Sequence, residues 1–133
     1  MYSFRKSKKG FTLIELMVVV AIIGVLALLG LRVYSGQQAK AKEAIVKANA
    51  GTVQTLIQSE LADGMITRDA AATLAATANL HDPFTAVAME AATWFPEAAD
   101  TPGEIQITLV SEIFYVQGYG ATGLIPEELT ARR

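Results

Sequence analysis

The chain of 133 residues contains no cysteine, and its only histidine is His81. Without a thiol it has no disulfide, no thiolate metal site and no cysteine nucleophile. His81 stands beside Asp82, but without a candidate nucleophile such a pair is typical of a surface turn rather than a catalytic relay. Glycine-rich phosphate loops and the G-x-S-x-G motif are also missing. We therefore expect a protein that is not an enzyme and has no cofactor.

Charge is nearly missing from one long stretch near the N-terminus. Between Leu16 and Leu31 no side chain is charged or strongly polar, and from Phe11 onward Glu15 is the only charge before Arg32. Residues 11–31 would form a helix of roughly 31 Å at about 1.5 Å per residue, which matches one bilayer core. This stretch predicts a single membrane-spanning helix.

A basic cluster precedes the apolar stretch and consists of Arg5, Lys6, Lys8 and Lys9. Basic residues in this position mark the cytoplasmic side, so the bulk of the chain is expected outside the cytoplasm. The apolar stretch is longer than the core of a secretory signal, and no A-x-A site follows it. The better cleavage candidate is the Gly10-Phe11 bond, where glycine would fit a narrow protease subsite.

Cleavage there would remove four of the 11 basic residues and leave 7 against 13 acidic ones, a formal charge of −6. This balance argues against direct nucleic-acid binding.

The segment that begins GFTLIEL at Gly10 resembles the prepilin signature of type IV pilins and of the pseudopilins of type II secretion, over positions 10–31. The resemblance implies that a membrane prepilin peptidase cuts after Gly10 and N-methylates Phe11. It also implies self-association into a helical homopolymer through the N-terminal helix, with the help of an inner-membrane assembly platform.

Glu15 requires a partner, because a carboxylate inside a membrane helix costs at least ~2.5 kcal/mol. The α-amino group of Phe11, created by cleavage, lies about one helical turn away in the same chain. Across chains, Glu15 could pair with the Phe11 amine of a neighbour and fix the axial register, since any other register buries two unpaired charges. The resemblance implies this intersubunit use. The alternative is a glutamate that reaches the lipid headgroups.

The apolar pattern becomes amphipathic beyond Leu31 without a break. One stripe at helical spacing predicts a single helix from about Phe11 to Ala62 that stops at Asp63-Gly64; the stripe consists of Val46, Ala50, Val53, Ile57 and Leu61. Many type IV pilins carry a proline where this chain has Arg32. Here no proline interrupts the helix, and Arg32 is expected at the outer end of the membrane span.

The remaining residues predict a small head of mixed structure. Residues 67–80 are expected to form a helix capped by Thr67. A further helical turn is expected to begin at Asp82-Pro83 and to continue through Ala86–Thr93. Alternation over 105–109 and 113–117 predicts a β-hairpin around Ser111-Glu112, packed on the helical stripe. Glu127 and Glu128 are expected in a solvated tail.

These patterns predict an α+β, pilin-like fold: a long N-terminal helix and a head with an antiparallel hairpin or small sheet. The expected organisation is a leader (1–10), a transmembrane and assembly helix (11–36) and a head (37–133). No metal site is expected. Some pseudopilin heads bind calcium, but the acidic residues that could do so here lack the spacing of a dedicated loop; they are Asp82, Glu97, Asp100 and Glu104.

The sequence favours a structural subunit of a type IV pilus-like filament, a membrane protein before assembly and part of an extracellular or periplasmic filament afterwards. One alternative is the major pseudopilin of a secretion or competence filament. Another is a single-pass anchor that displays a small binding module and never assembles. Such an anchor would not need Gly10, or Glu15 at a fixed position.

Overall fold

The computed structural model describes residues 10–133. Helix α1 spans Leu13–Asp63 and helix α2 spans Arg68–Ala76, followed by one turn of 3₁₀ helix at Ala92–Trp94. Strands β1 (Ile105–Val110), β2 (Ile113–Gly120) and β3 (Gly123–Ala131) complete the chain. The predicted α+β class is confirmed. The predicted leader lies outside the described residues except for Gly10.

The chain divides into two compact units, one that ends at Gln37 and one that spans Gln38–Arg133. Within the second unit, α1 buries one face against the head. The five residues of the predicted stripe are at most 3% exposed, which confirms the prediction; they are Val46, Ala50, Val53, Ile57 and Leu61. Spacings of three and four residues place these side chains on one side of the helix, so the sheet and α2 have a continuous apolar surface to cover.

The sheet is antiparallel with the order β1-β2-β3. Val110 pairs with Ile113, so Ser111 and Glu112 form the predicted two-residue turn between β1 and β2. Their φ angles are +49° and +67°, the left-handed values that a type I′ turn requires at both positions. Along β2 every second residue is buried, so Phe114 and Val116 face the core with Ile105 and Ile107 of β1.

Gly118 allows β2 to lie directly against α1. A Cβ atom at this position would collide with Cγ1 of Val46 and would contact Cδ1 of Ile125 at 3.4 Å. Gly118 and Val46 are both buried, so neither an added methyl group at position 118 nor the Val46 side chain could turn into solvent to make room. The absence of a side chain at Gly118 therefore determines how closely helix and sheet approach.

The segment after α2 differs from the prediction. Helix α2 ends at Ala76 rather than near residue 80, and Asn79 adopts a left-handed φ of +53° that a continuing helix cannot contain. The prediction of a helical turn at Asp82-Pro83 is also wrong. The flanking residues His81 and Ala88 instead pair in an isolated β-bridge. The side chain of Asp82 accepts hydrogen bonds from local backbone groups, and this competes successfully with helix formation.

The C-terminal residues form a third strand where a tail was expected, so that part of the expectation is wrong, whereas Glu127 and Glu128 are exposed to solvent as predicted. Pro126 argued against a strand here in the sequence, because proline has no N–H group to donate to a sheet ladder. It lies where the β2–β3 register shifts between Gln117 and Tyr119, and there the regular ladder is already interrupted.

Two glutamines of α1 cover the outer edge of β3. Gln54 Nε2 donates to the carbonyl of Thr130 at 2.7 Å. Gln58 Nε2 donates to the carbonyl of Arg132 at 2.7 Å, and Gln58 Oε1 accepts from the Arg132 N–H at 3.2 Å. A side-chain amide carries the same donor and acceptor as a peptide group, so these residues pair with the edge as a neighbouring strand would.

We expect Gly118→Ala to lower the free energy of unfolding of the head by about 1–3 kcal/mol, because the added methyl group has no free volume. Thermal unfolding of the full chain in detergent micelles would measure this. The matched control is Gly51→Ala on α1, where a Cβ meets nothing within 4 Å. That change should stabilise the helix by about 0.5–1 kcal/mol. Equal behaviour of both variants would contradict the proposed close approach.

Candidate functional site

The residues predicted to flank the cleavage site precede the first helix. Gly10, Phe11 and Thr12 have no regular secondary structure, and α1 begins at Leu13. The Phe11 side chain is 88% exposed, and a side chain at position 10 would meet nothing within 4 Å. The Gly10-Phe11 peptide bond therefore lies in accessible, non-helical chain, the form of backbone that an endopeptidase can bind.

Thr12 and Glu15 form reciprocal hydrogen bonds at the start of α1. The Thr12 N–H donates to Oε2 of Glu15 at 2.9 Å, and the Glu15 N–H donates to Oγ1 of Thr12 at 3.3 Å. This arrangement is a capping box, in which Thr12 is the N-cap and Glu15 the third helical residue. It satisfies two backbone donors that the first helical turn leaves unpaired.

The capping box gives Glu15 a partner that the sequence interpretation overlooked. Its signal was present as T-x-x-E in front of an apolar run, the usual mark of a helix start. Within residues 10–133, no cationic side chain lies within ion-pair distance of Glu15. Among the described residues the carboxylate is therefore held by the backbone hydrogen bond and by the positive end of the helix dipole rather than by a cationic side chain.

The part of α1 that follows Glu15 is apolar and exposed on all sides. Every large hydrophobic side chain from Leu13 to Leu31 is at least 49% exposed. By length and composition, α1 is the one helix among the described residues that is able to cross a membrane. A helix without a polar face buries its surface in lipid or against other apolar helices, because no face is suited to water.

Helix α1 continues without interruption through Arg32 and Tyr34. Both residues are exposed on this helix, at the end of the apolar stretch, where the sequence predicted the outer membrane interface.

Two of the four acidic residues considered for calcium accept hydrogen bonds from backbone N–H groups. Asp82 is 1% exposed, and its carboxylate accepts from the N–H groups of Phe84 at 3.0 Å and Thr85 at 2.8 Å, and from the Thr85 hydroxyl. Glu104 accepts from the N–H groups of Asp100 and Thr101. In the part of the chain that the structure describes, no group of three or more histidine or acidic side chains is placed to hold a metal ion.

Asp82 thus stabilises a loop through these hydrogen bonds. Gly103 assists, because its φ of +101° and the closeness of the Asp82 carboxylate leave no room for a Cβ atom there.

We expect Asp82→Ala to lower the free energy of unfolding by about 1–3 kcal/mol, because it removes the acceptor of two partly buried N–H groups and of one hydroxyl group. Asp100→Ala, at an exposed position, should cost less than about 0.5 kcal/mol. Neither calcium nor a chelator should shift the melting temperature of the unmodified chain in micelles. A rise of several degrees with millimolar calcium would contradict the assignment of Asp82 to loop capping.

We also expect Thr12→Val to destabilise the first turn of α1 by about 1 kcal/mol, whereas Thr12→Ser should retain the capping box. Amide hydrogen exchange at Glu15 and Leu16 in micelles would accelerate about fivefold in the valine variant. Similar exchange rates in the two variants would show that Thr12 does not cap the helix.

Comparison with known proteins shows similarity over part of the chain. Residues 5–31 match the prokaryotic N-terminal methylation motif. The chain is 49% identical over 59 residues to the fimbrial protein EcpB of Eikenella corrodens, an alignment that covers 44% of this chain and 37% of that protein. It is 44% identical over 62 residues to the type IV major fimbrial protein FimA of Dichelobacter nodosus, with 47% of this chain and 40% of that protein covered.

The type IV major alpha-pilin of Moraxella bovis is 40% identical over 58 residues, which cover 44% of this chain and 36% of the relative. The chain thus spans well under half the length of the curated relatives that it matches. No solved structure matches the chain. The methylation motif and the fimbrial relatives show that part of this chain is similar to type IV pilins, and the long N-terminal helix that precedes a small sheet agrees with that similarity.

Proposed function

We propose that this protein is the structural subunit of a type IV pilus-like filament. The observation that supports it most is the exposed apolar surface of α1 between Leu13 and Leu31, with Glu15 as its single charge, directly after the Gly10-Phe11 bond. Such a surface needs lipid before assembly and like helices after it. The match of residues 5–31 to the methylation motif supports the same function.

In this proposal a prepilin peptidase cuts the accessible Gly10-Phe11 bond and methylates the new amine of Phe11. The basic leader stays on the cytoplasmic side of the inner membrane, residues 11–31 cross it, and the head lies outside. An assembly platform in that membrane then transfers subunits from the bilayer into the filament. Replacement of lipid contacts by helix–helix contacts makes this transfer possible, and Gly24, Ala27 and Gly30 allow close approach of the helices.

Glu15 has two successive partners in the proposed pathway. In the stored subunit its carboxylate accepts from the Thr12 N–H, as described above. In the filament it pairs with the Phe11 amine of a neighbouring subunit, where two opposite charges in an apolar interior attract strongly. Only one axial register satisfies both charges, so this pair sets the stagger between adjacent helices.

A non-assembling anchor would explain the apolar helix but would not require a free Phe11 amine or a carboxylate at Glu15. The names of the relatives, fimbrial proteins and a pilin, favour a pilus over a secretion filament. The head supports a structural rather than a catalytic role, since the buried polar groups Asn49 and Asp82 are both engaged in hydrogen bonds within the fold.

The direct test is intact mass and N-terminal sequencing of the protein from native membranes and from sheared fibres. We expect a chain that begins at Phe11, carries one added methyl group and is the main component of the fibres. A chain that still begins at Met1, in cells that contain the peptidase, would overturn the proposal.

We expect Glu15→Ala to leave membrane insertion and cleavage intact but to reduce filament yield more than about hundredfold, because each Phe11 amine would then be buried without a partner. Glu60→Ala, which removes an exposed carboxylate farther along α1, is the matched control and should assemble normally. The measurement is the ratio of sheared to cell-associated protein. Normal yield of the Glu15 variant would exclude the register role.

A further inference from the structure

A groove runs along one face of the chain at the start of α1. Its volume is about 380 Å³, and its lining residues follow the i, i+3, i+4, i+7, i+8 spacing of one helical face. We refer to it as the Glu15 groove; it is lined by Phe11, Ile14, Glu15, Val18 and Val19. In helix–helix packing, four residues of one helix form the hole that accepts one side chain of its neighbour. The first four lining residues have the spacing of such a hole.

The Glu15 groove is uncovered, and a single residue of its lining is charged. Its four apolar side chains are between 49% and 88% exposed, so no other part of residues 10–133 fills it. Glu15 is also exposed and places a carboxylate in the otherwise apolar lining. A buried carboxylate requires a partner of opposite charge or a hydrogen-bond donor. An occupant that suits the whole groove therefore combines an apolar group with a cation.

Phe11 of a processed second copy has this combination. Cleavage leaves a cationic α-amine on Phe11, and only Cα and Cβ separate its nitrogen from the phenyl ring. Residues 11–31 contain no basic side chain, so the apolar stretch itself supplies no other cation. A lipid chain or an aliphatic side chain would fill the apolar part of the groove but would leave the Glu15 carboxylate unpaired. Charge complementarity thus favours a processed N-terminus as the occupant.

We propose that the Phe11 ring of one subunit occupies the Glu15 groove of a neighbouring subunit while its amine pairs with that Glu15; this rests on the proposed function. The ring is 88% exposed in the single chain and is therefore available to a neighbour. Each copy provides one ring and one groove, which are two different surfaces. Such a head-to-tail contact repeats along a filament without reversing the direction of the subunits.

The ring contributes shape rather than hydrophobic free energy. In the membrane-inserted subunit its surface already contacts lipid, so transfer from lipid to the groove gains little from the hydrophobic effect. A phenyl group that fills the groove instead makes dispersion contacts that a void would lose. A side chain of another size leaves a gap or collides, so residue 11 selects the register by its size as well as by its amine.

The test is an exchange of side-chain size in the full chain, produced in cells with the native peptidase and assembly platform. Phe11→Ala removes the ring but keeps the amine, and Val18→Phe fills the groove from its own subunit. Each should lower the ratio of sheared to cell-associated protein about tenfold, because one leaves a void and the other a collision. The two substitutions together should restore at least about half of the original yield, since a ring again fills the groove. Intact mass would verify cleavage in each variant.

A matched control separates the groove from the mere addition of a ring. Val33→Phe makes the same substitution on α1 beyond the apolar stretch, at a residue that is also exposed, and we expect wild-type yield. An equal loss in this control would attribute the effect to the added ring and overturn the proposal. So would wild-type yield of the processed Val18→Phe variant, a result that does not depend on how well Phe11→Ala is cleaved.

Disulfide cross-linking measures the contact independently. Because the chain has no cysteine, Phe11→Cys and Val18→Cys in one chain introduce the only thiols. Seven helical residues span about 10 Å, which is too far for a disulfide within one subunit. Mild oxidation of the fibres that form should give a ladder of linked subunits, whereas Phe11→Cys with Val33→Cys should remain monomeric. Fibres without this ladder would refute the occupied groove alone, whereas a wild-type chain that forms no fibres would refute the proposed function.

Discussion

Val46 of α1 and Gly118 of β2 set the distance between helix and sheet, and much of the C-terminal unit depends on this contact. Because no Cβ fits at Gly118, β2 lies directly on the helix, and the alternate residues Phe114 and Val116 reach the core. The sheet then covers the apolar stripe of α1, while α2 contributes Ala71, Ala72 and Ala75 to the same core. Small side chains on α2 permit a short helix to pack tightly where larger ones would hold it away.

The head contains no disulfide, so its long connections are held by polar side chains that bind the backbone. Between α2 and β1 the chain runs for 28 residues with a single 3₁₀ turn. Asp82 accepts from the N–H groups of its loop, and Arg68 donates to the carbonyls of Phe95 at 2.7 Å and Ile107 at 3.3 Å. The bonds to Phe84, Thr85 and Phe95 satisfy backbone groups that lie outside the helices and strands, and the bond to Ile107 ties this connection to β1.

Glu15 has a role in local structure and, in the proposed function, a second role in assembly. The capping box with Thr12 makes the carboxylate useful within one subunit, since it completes the first turn of α1. In the proposed membrane-inserted subunit, this hydrogen bonding offsets part of the cost of a charge in an apolar segment. A charged partner from a neighbour is stronger than a single backbone N–H, so the same carboxylate can favour the filament once a free amine is present.

The sequence by itself determined the apolar N-terminal helix, the buried stripe from Val46 to Leu61 and the hairpin around Ser111-Glu112. Each of these depends on periodicity or on residues adjacent in the chain, and such local patterns dominate over short distances. The predicted sites Gly10, Phe11 and Glu15 depend on local sequence in the same way, because their motif is contiguous. The T-x-x-E pattern of the capping box is also contiguous in the sequence, but the capping role of Thr12 and Glu15 was identified only from their hydrogen bonds.

Only the tertiary structure decided the features that join distant parts of the chain. Strand β3 was not predicted, because Pro126 and two glutamates are not typical of a strand. It forms because β2 and the side-chain amides of Gln54 and Gln58 bind its backbone; the two glutamines lie more than 70 residues away in sequence. Asp82 was predicted to start a helical turn, whereas its burial and its acceptor role beside Gly103 place it within a loop. Local sequence patterns do not indicate which distant backbone groups lack a hydrogen-bond partner. Such groups determined both the formation of β3 and the position of Asp82.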